Sequence, residues 1–164
     1  MAENISLTIT GVALGLIQGD SSVTSLNRAN TIEVISLSHA VRANFERATG
    51  LATGRRYYEP IEFRKRLDKS TPRLREALVR NDSVSGTFKW FRPNPNGDGT
   101  TQHFLTVTFG GGRITSAVMR LPDTLNPATA TLAPYEDVTL VFNTIEWSWL
   151  PGGITALDEW NASR

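Results

Sequence analysis

The chain has 164 residues, of which 40% are hydrophobic, and its 17 basic and 16 acidic side chains leave a formal net charge of +1. That length suits one domain, and the near-balance of charge argues against both a general nucleic-acid binder and a disordered chain. There is no cysteine, so disulfides, zinc–thiolate sites and thiol nucleophiles are excluded. The start of the chain does not resemble a signal peptide, because Glu3 is acidic and the first basic residue is Arg28. Its longest early apolar run, Gly11 to Ile17, falls far short of the roughly 18 residues needed to span a bilayer. The expectation is a protein with no cleaved signal and no membrane insertion, which leaves the cell, if it does, through a dedicated machine.

In chain order, Ile5, Leu7 and Ile9 alternate with Ser6, Thr8 and Thr10, the period-2 pattern of a half-buried strand. A polar loop follows at about Gly19 to Asn30, and Thr31 to Val41 reads as a strand rich in β-branched residues. Residues 42–56 have no clear period and contain Gly50 and Gly54, which makes them a loose loop or a long hairpin. Ile61, Phe63 and Leu67 then share one strand face, with Glu62, Arg64 and Arg66 on the other. Ser70 or Thr71 followed by Pro72 predicts a helix start, and Leu74, Ala77 and Leu78 form one apolar face of a helix ending near Asn81. Such a short helix needs a sheet to pack on.

Strands resume with Val84, Phe88 and Trp90, a dense turn signal at 93–99, and Leu105, Val107 and Phe109. Gly110 to Gly112 is expected to turn the chain back into Ile114 to Met119, giving a meander over 83–121. After a loop at 122–135, Val138, Leu140 and Phe142 share one face, whereas Ile145, Trp147 and Trp149 share the opposite one. That phase change predicts a bulge or bend near Asn143–Thr144. Residues 155–160 add a short last strand. Seven or eight strands and one helix suggest a barrel or sandwich.

Catalytic chemistry is nearly absent from the pattern. His39 and His103 are far apart in strand contexts, without ligand-like partners. The glycine triplet lacks the frame of a phosphate loop, and the run 96–99 lacks the ligands of a calcium loop. Glu33, Glu59, Glu62 and Glu146 form no acid–base pair, and no serine has a nucleophile-elbow setting. No enzyme activity, metal or cofactor is expected.

Charge is unevenly distributed along the chain. From Arg42 to Arg80 there are 11 basic and 5 acidic residues, and from Arg120 to Arg164 there are 2 basic and 6 acidic. A solvated mixed surface accounts for this; so does a molecule with oppositely charged ends that stacks head to tail.

The segment Pro60…Leu67-Asp68-Lys69-Ser70-Thr71-Pro72-x-Leu74, followed by Ala77-Leu78, resembles the central signature of the Hcp family, which builds the inner tube of bacterial type VI secretion systems. Further similarities follow in order: Ile32-Glu33-Val34, Thr49-Gly50…Thr53-Gly54-Arg55, Phe88-Lys89-Trp90-Phe91-Arg92, Val138…Ile145-x-Trp147 and Asp158-x-Trp160-Asn161. The loops at 19–30 and 122–135 are longer or differently composed than is usual in the family.

The resemblance implies a mainly β fold, a compact barrel of two antiparallel sheets with one short α-helix at about 72–80, as a single domain over 1–164. It implies hexameric rings stacked into a hollow tube, assembled in the bacterial cytoplasm, surrounded by a contractile sheath, capped by a VgrG-like spike protein and expelled with effectors in the lumen. Pro60, Asp68, Lys69, Ser70, Pro72, Leu74, Leu78, Trp90, Trp147 and Trp160 are its structural positions. By analogy with the family, the excursion at 42–56 reaches toward a neighbouring ring. Stacking is then expected to join Arg47, Arg55 and Arg56, near Gly50 and Gly54, to acids among Asp123, Glu136, Asp137, Asp158 and Glu159. A phage-like tail-tube protein is the alternative; a ligand- or nucleic-acid-binding barrel is weakened by the balanced charge and the lack of a basic-aromatic stripe.

Overall fold

The computed structural model describes residues 3–161. In chain order it contains β1 (Asn4–Gly11), β2 (Gly15–Ile17), β3 (Ile32–Ser38), β4 (Val41–Phe45), β5 (Ala52–Tyr58) and β6 (Ile61–Arg66). Then come α1 (Ser70–Val79), β7 (Val84–Pro93), β8 (Thr101–Arg120), β9 (Tyr135–Val141), β10 (Thr144–Trp149) and β11 (Ile154–Glu159). All strand pairs are antiparallel.

The expected two sheets and one helix are present. The larger sheet runs β11-β10-β8-β7-β1-β3-β6-β9, with β2 beside β1, and β9 pairs again with β8. Six strands therefore close on themselves, and the smaller sheet is the pair β4–β5. Inward positions of the alternating strands fill the closed sheet: Leu7, Ile9, Phe63, Phe88, Phe109 and Leu140 are all buried. Phe88 centres this core, 5.6 Å from the Phe63 ring and 5.8 Å from the Phe109 ring.

Eleven strands among the described residues exceed the seven or eight expected, because β2, β4 and β5 are short or exposed and carry no clean period. The glycine triplet is not a hairpin. Gly110 to Gly112 lies inside the continuous 20-residue strand β8, whose first part pairs with β7 and β10 and whose last part pairs with β9. A side chain at Gly112 would stand 2.9 Å from the carbonyls of Val84 and Val141. Gly111, at φ 59°, takes a backbone conformation that side chains disfavour. The triplet is the corner where the sheet bends to close. The phase change near Asn143 is also a corner, where β9 ends and β10 begins.

The helix starts through Asp68 rather than through a Ser70 or Thr71 cap. Asp68 Oδ1 accepts the Ser70 backbone N–H at 2.9 Å, and the Thr71 hydroxyl accepts the Asp68 N–H at 3.1 Å. Pro72 is the third helical residue, still in the turn whose N–H groups lack intrahelical partners. At the other end Asn81, at φ 51°, donates to Leu78, and Asp82 donates to Ala77 at 2.9 Å, a Schellman ending. Leu74 and Ala77 are buried on the sheet, whereas Leu78 is only partly buried against it.

Candidate assembly surface

The excursion at 42–56 is a hairpin. Strands β4 and β5 pair only with each other, with Val41 opposite Tyr58 and Phe45 opposite Ala52. Its tip is closed by hydrogen bonds from Glu46 N–H to the Leu51 carbonyl and from Gly50 N–H to the Glu46 carbonyl, both 2.8 Å. Gly50, at φ 70°, makes that turn possible. Both strands are exposed along almost their whole length, and Phe45 and Leu51 are each more than 60% exposed. A two-stranded ribbon of this kind has little stability of its own, so its base must hold it.

That base is aromatic. Tyr58 packs 5.6 Å from Trp160, 5.3 Å from Phe142 and 6.4 Å from Trp147, and His39 stacks 5.9 Å from Tyr58. Burial pulls the His39 imidazole below its ordinary value, against the opposing charge of Glu59. Beside the rings, the Arg56 guanidinium bonds both carboxylate oxygens of Asp158 and donates to the Glu159 carbonyl at 2.6 Å. The Tyr58 hydroxyl donates to the same carboxylate at 2.5 Å. Arg56 and Tyr58 together hold the Asp158 carboxyl far below the carboxylate range, and burial with that carboxylate raises Tyr58.

Four of the expected stacking residues have partners within the chain. Arg56 and Asp158 meet within one chain, as a clasp between the hairpin and β11. Glu136 is fully buried, with its carboxylate shared by Lys65 at 2.6 Å, the Thr71 hydroxyl at 2.7 Å and Arg75. Burial pushes the Glu136 carboxyl up, but the bonds from Lys65, Thr71 and Arg75 outweigh it and hold the group below its ordinary value. Asp137 is lowered by bonding Arg64 at 2.8 Å, with Arg120 at 3.2 Å. Arg47 and Arg55 are exposed on the hairpin, Asp123 is exposed in the loop at 122–135, and Glu159 is exposed at the end of β11.

The structural positions fall where they support this frame. Leu74 is buried on the sheet, Trp90 and Trp147 line the core edge, and Trp160 closes the hairpin base. Pro60 joins the hairpin to β6. Asp68 and Ser70 start the helix, and the Lys69 backbone N–H donates to Asp20 at 3.0 Å. Sequence reasoning missed the buried Lys65–Glu136 pair, although both residues fall in the inward phase of their strands, in step with Ile61–Phe63 and with Val138–Leu140. Among the described residues no cluster of three or more metal-ligating side chains occurs, and no helix is long and apolar enough to cross a membrane.

A closed antiparallel sheet, one side helix and an exposed hairpin recur in known proteins. The profile of the family described as type VI secretion system effector, Hcp, matches residues 7–149. The chain belongs to the Hcp family. A crystal structure of an Hcp protein superposes at TM-score 0.86 with 24% identity, covering 99% of this chain and 100% of that one. A mutant of Hcp1 from the E. coli EAEC 042 pathovar superposes at 0.82 with 24% identity, covering 97% and 99%. Secreted Hcp3 from Pseudomonas aeruginosa superposes at 0.75 with 20% identity, covering 98% and 100%. No curated protein sequence matches significantly. Hcp proteins are type VI secreted tube proteins, and this chain has their β-rich fold.

Proposed function

We propose that the chain is a single tube domain that forms hexameric rings, which stack head to tail into the inner tube of a type VI secretion system. The tube is assembled in the cytoplasm inside a contractile sheath, capped by a spike protein, and expelled with effectors in its lumen. The observation that carries this reading is the exposed β4–β5 hairpin on a fold matched to Hcp along nearly its whole length. A ribbon with Phe45, Leu51, Arg47 and Arg55 in solvent is a protrusion suited to another copy. Stacking candidates are therefore Arg47 and Arg55 against Asp123 and Glu159 of the next ring. Negative-stain microscopy of the purified protein should show rings and tubes, and a monomer under all conditions would overturn the reading. Arg47→Glu combined with Arg55→Glu should shorten tubes and leave rings intact; lost rings would place these arginines inside the ring instead.

A further inference from the structure

The loop at 19–30 covers part of the outer face of the closed sheet. It is a built loop: Gly19 donates to Asn30 at 2.9 Å, Asn30 to Ser21 at 3.0 Å and Thr31 to Arg28 at 3.2 Å. Leu26, Asn27 and Asn30 all have φ between 55° and 58°, conformations that side chains adopt only when their surroundings demand it. Beneath the loop lies a cavity of about 350 Å³ lined by Asn4, Ser6, Ser21, Arg28, Glu33 and Arg66, among others.

Three features make this cavity a site rather than a packing defect. Ser6 is 4% exposed, yet its hydroxyl has no hydrogen-bond partner; a buried hydroxyl without a partner is costly and calls for explanation. Arg28 is 6% exposed and fixed in place, with Nε donating to the Ser25 carbonyl at 3.0 Å, Nη1 to Asn4 at 3.3 Å and Nη2 to the Ser25 hydroxyl at 2.5 Å, which leaves one N–H on each terminal nitrogen, and with the guanidinium 4.4 Å above the Phe91 ring. Two exposed side chains of opposite charge, Glu33 and Arg66, stand at the cavity without touching. The Glu33 carboxylate accepts the Ser21 hydroxyl at 3.0 Å, and Arg66 lines the cavity too, but no ion pair joins Glu33 to either arginine among the described residues. Ser6 and Glu33 are directly opposed in register on β1 and β3, so their side chains leave the sheet on the same face.

We propose that this cavity binds a small zwitterion of the amino-acid class. Its carboxylate is taken by Arg66, Arg28 and the Ser6 hydroxyl, and its ammonium group by Glu33. A simple anion would use the arginines but meet the Glu33 carboxylate, and a simple cation would meet the reverse difficulty. A molecule carrying both charges uses the cavity's charged groups of both signs and the Ser6 hydroxyl, and the volume is at the small end of the range for ligand pockets.

The test is calorimetric titration of the purified, assembled protein with L-alanine, β-alanine and γ-aminobutyrate, whose charges lie progressively further apart. Acetate and methylammonium serve as the two half-ligands. One zwitterion should saturate with a Kd below about 1 mM and bind at least about tenfold more tightly than either half. Glu33→Gln should weaken that zwitterion about tenfold while leaving acetate unchanged or stronger, and Arg66→Gln should weaken both. Ser6→Ala, which removes a hydroxyl that supports nothing else in the fold, should weaken the zwitterion several-fold. The proposal is overturned if none of the three zwitterions saturates, if acetate binds as well as the best of them, or if Ser6→Ala and Glu33→Gln leave affinity unchanged.

Discussion

The buried ion cluster beneath the helix is open to a double-mutant test. Lys65 and Glu136 are both fully buried and oppose each other directly where β6 pairs with β9. The Lys65 ammonium reaches Glu136 at 2.6 Å, Asp68 at 2.8 Å, the Arg66 carbonyl at 2.9 Å and the Thr71 hydroxyl at 3.1 Å. Removing one partner of such a pair leaves a charge in a dry interior and costs about 3–5 kcal/mol. Glu136→Leu falls near the lower end, because Asp68 still faces the lysine; Lys65→Met does too, because Arg75 and Thr71 still face the glutamate. The double substitution removes both charges and should stand only about 1–3 kcal/mol below the parent, a coupling of at least about 2 kcal/mol. With about 2–4 °C of Tm per kcal/mol for a domain of this size, each single variant should melt about 6–12 °C lower. Circular dichroism melts and urea titrations at pH 7, at one fixed protein concentration, measure this. Additive single effects, or a loss below about 1 kcal/mol for Glu136→Leu, would refute the pairing. Paired carboxylates in three places set an acid limb. Glu136, Asp137 and Asp158 all have lowered carboxyls in the fold, so the stability they contribute is full above the unfolded carboxylate values and is lost as pH falls through the folded ones. His39 and His103 are lowered as well, chiefly by burial, and begin a shallower decline already as pH falls through 6.5.

Two other substitutions probe the frame. Leu74→Ala should cost about 3–5 kcal/mol because Leu74 is fully buried, while Leu78→Ala, at a partly buried position, should cost about 1–2 kcal/mol; equal melts for the two would contradict the helix orientation. Asp158→Asn should release the hairpin without unfolding the closed sheet, raising amide exchange over residues 41–58 at least about tenfold while β1 and β7 stay protected, and unchanged exchange there would show that the aromatic base alone holds the hairpin.

Strands with one buried face were legible, because alternation is the imprint of that burial. Ile5, Leu7 and Ile9, or Val138, Leu140 and Phe142, announce their inward faces. The hairpin was not decidable between loop and ribbon for the opposite reason: β4 is exposed on both faces, so nothing selects a period. Gly110 to Gly112 misled because a glycine run has the same local meaning at a hairpin and at a corner; only the closure of β8 onto β9 distinguishes them. The helix start is misjudged by one or two residues from Ser70 or Thr71, because the N-cap position is Lys69 and Asp68, just before it, reaches forward to the Ser70 N–H. Lys65 and Glu136 were readable in principle, as opposite charges each in the core phase of a strand, a pattern that only a buried pair satisfies.

The oppositely charged segments of the sequence pair with each other within the chain. Arg64, Lys65, Arg75 and Arg56, all from the basic segment, meet Asp137, Glu136 and Asp158 from the acidic one, much of it through the β6–β9 register. Of the residues expected to stack, Arg47, Arg55, Asp123 and Glu159 stay exposed, together with the apolar tip of the hairpin. Exposed ion pairs contribute about 0–1 kcal/mol each and weaken with salt. Covering Phe45 and Leu51, exposed by 63% and 64%, would contribute about 1–2 kcal/mol each when complete, and salt does not screen it. Stacking through this hairpin should therefore be mainly apolar. Phe45→Ser combined with Leu51→Ser should abolish tubes while leaving rings, whereas high salt, like the arginine reversals, should only shorten them. Sedimentation and microscopy at low and high salt distinguish the two. Tubes that survive the double serine variant but dissolve in salt would return the stacking to charge, with Arg47 and Arg55 as its carriers.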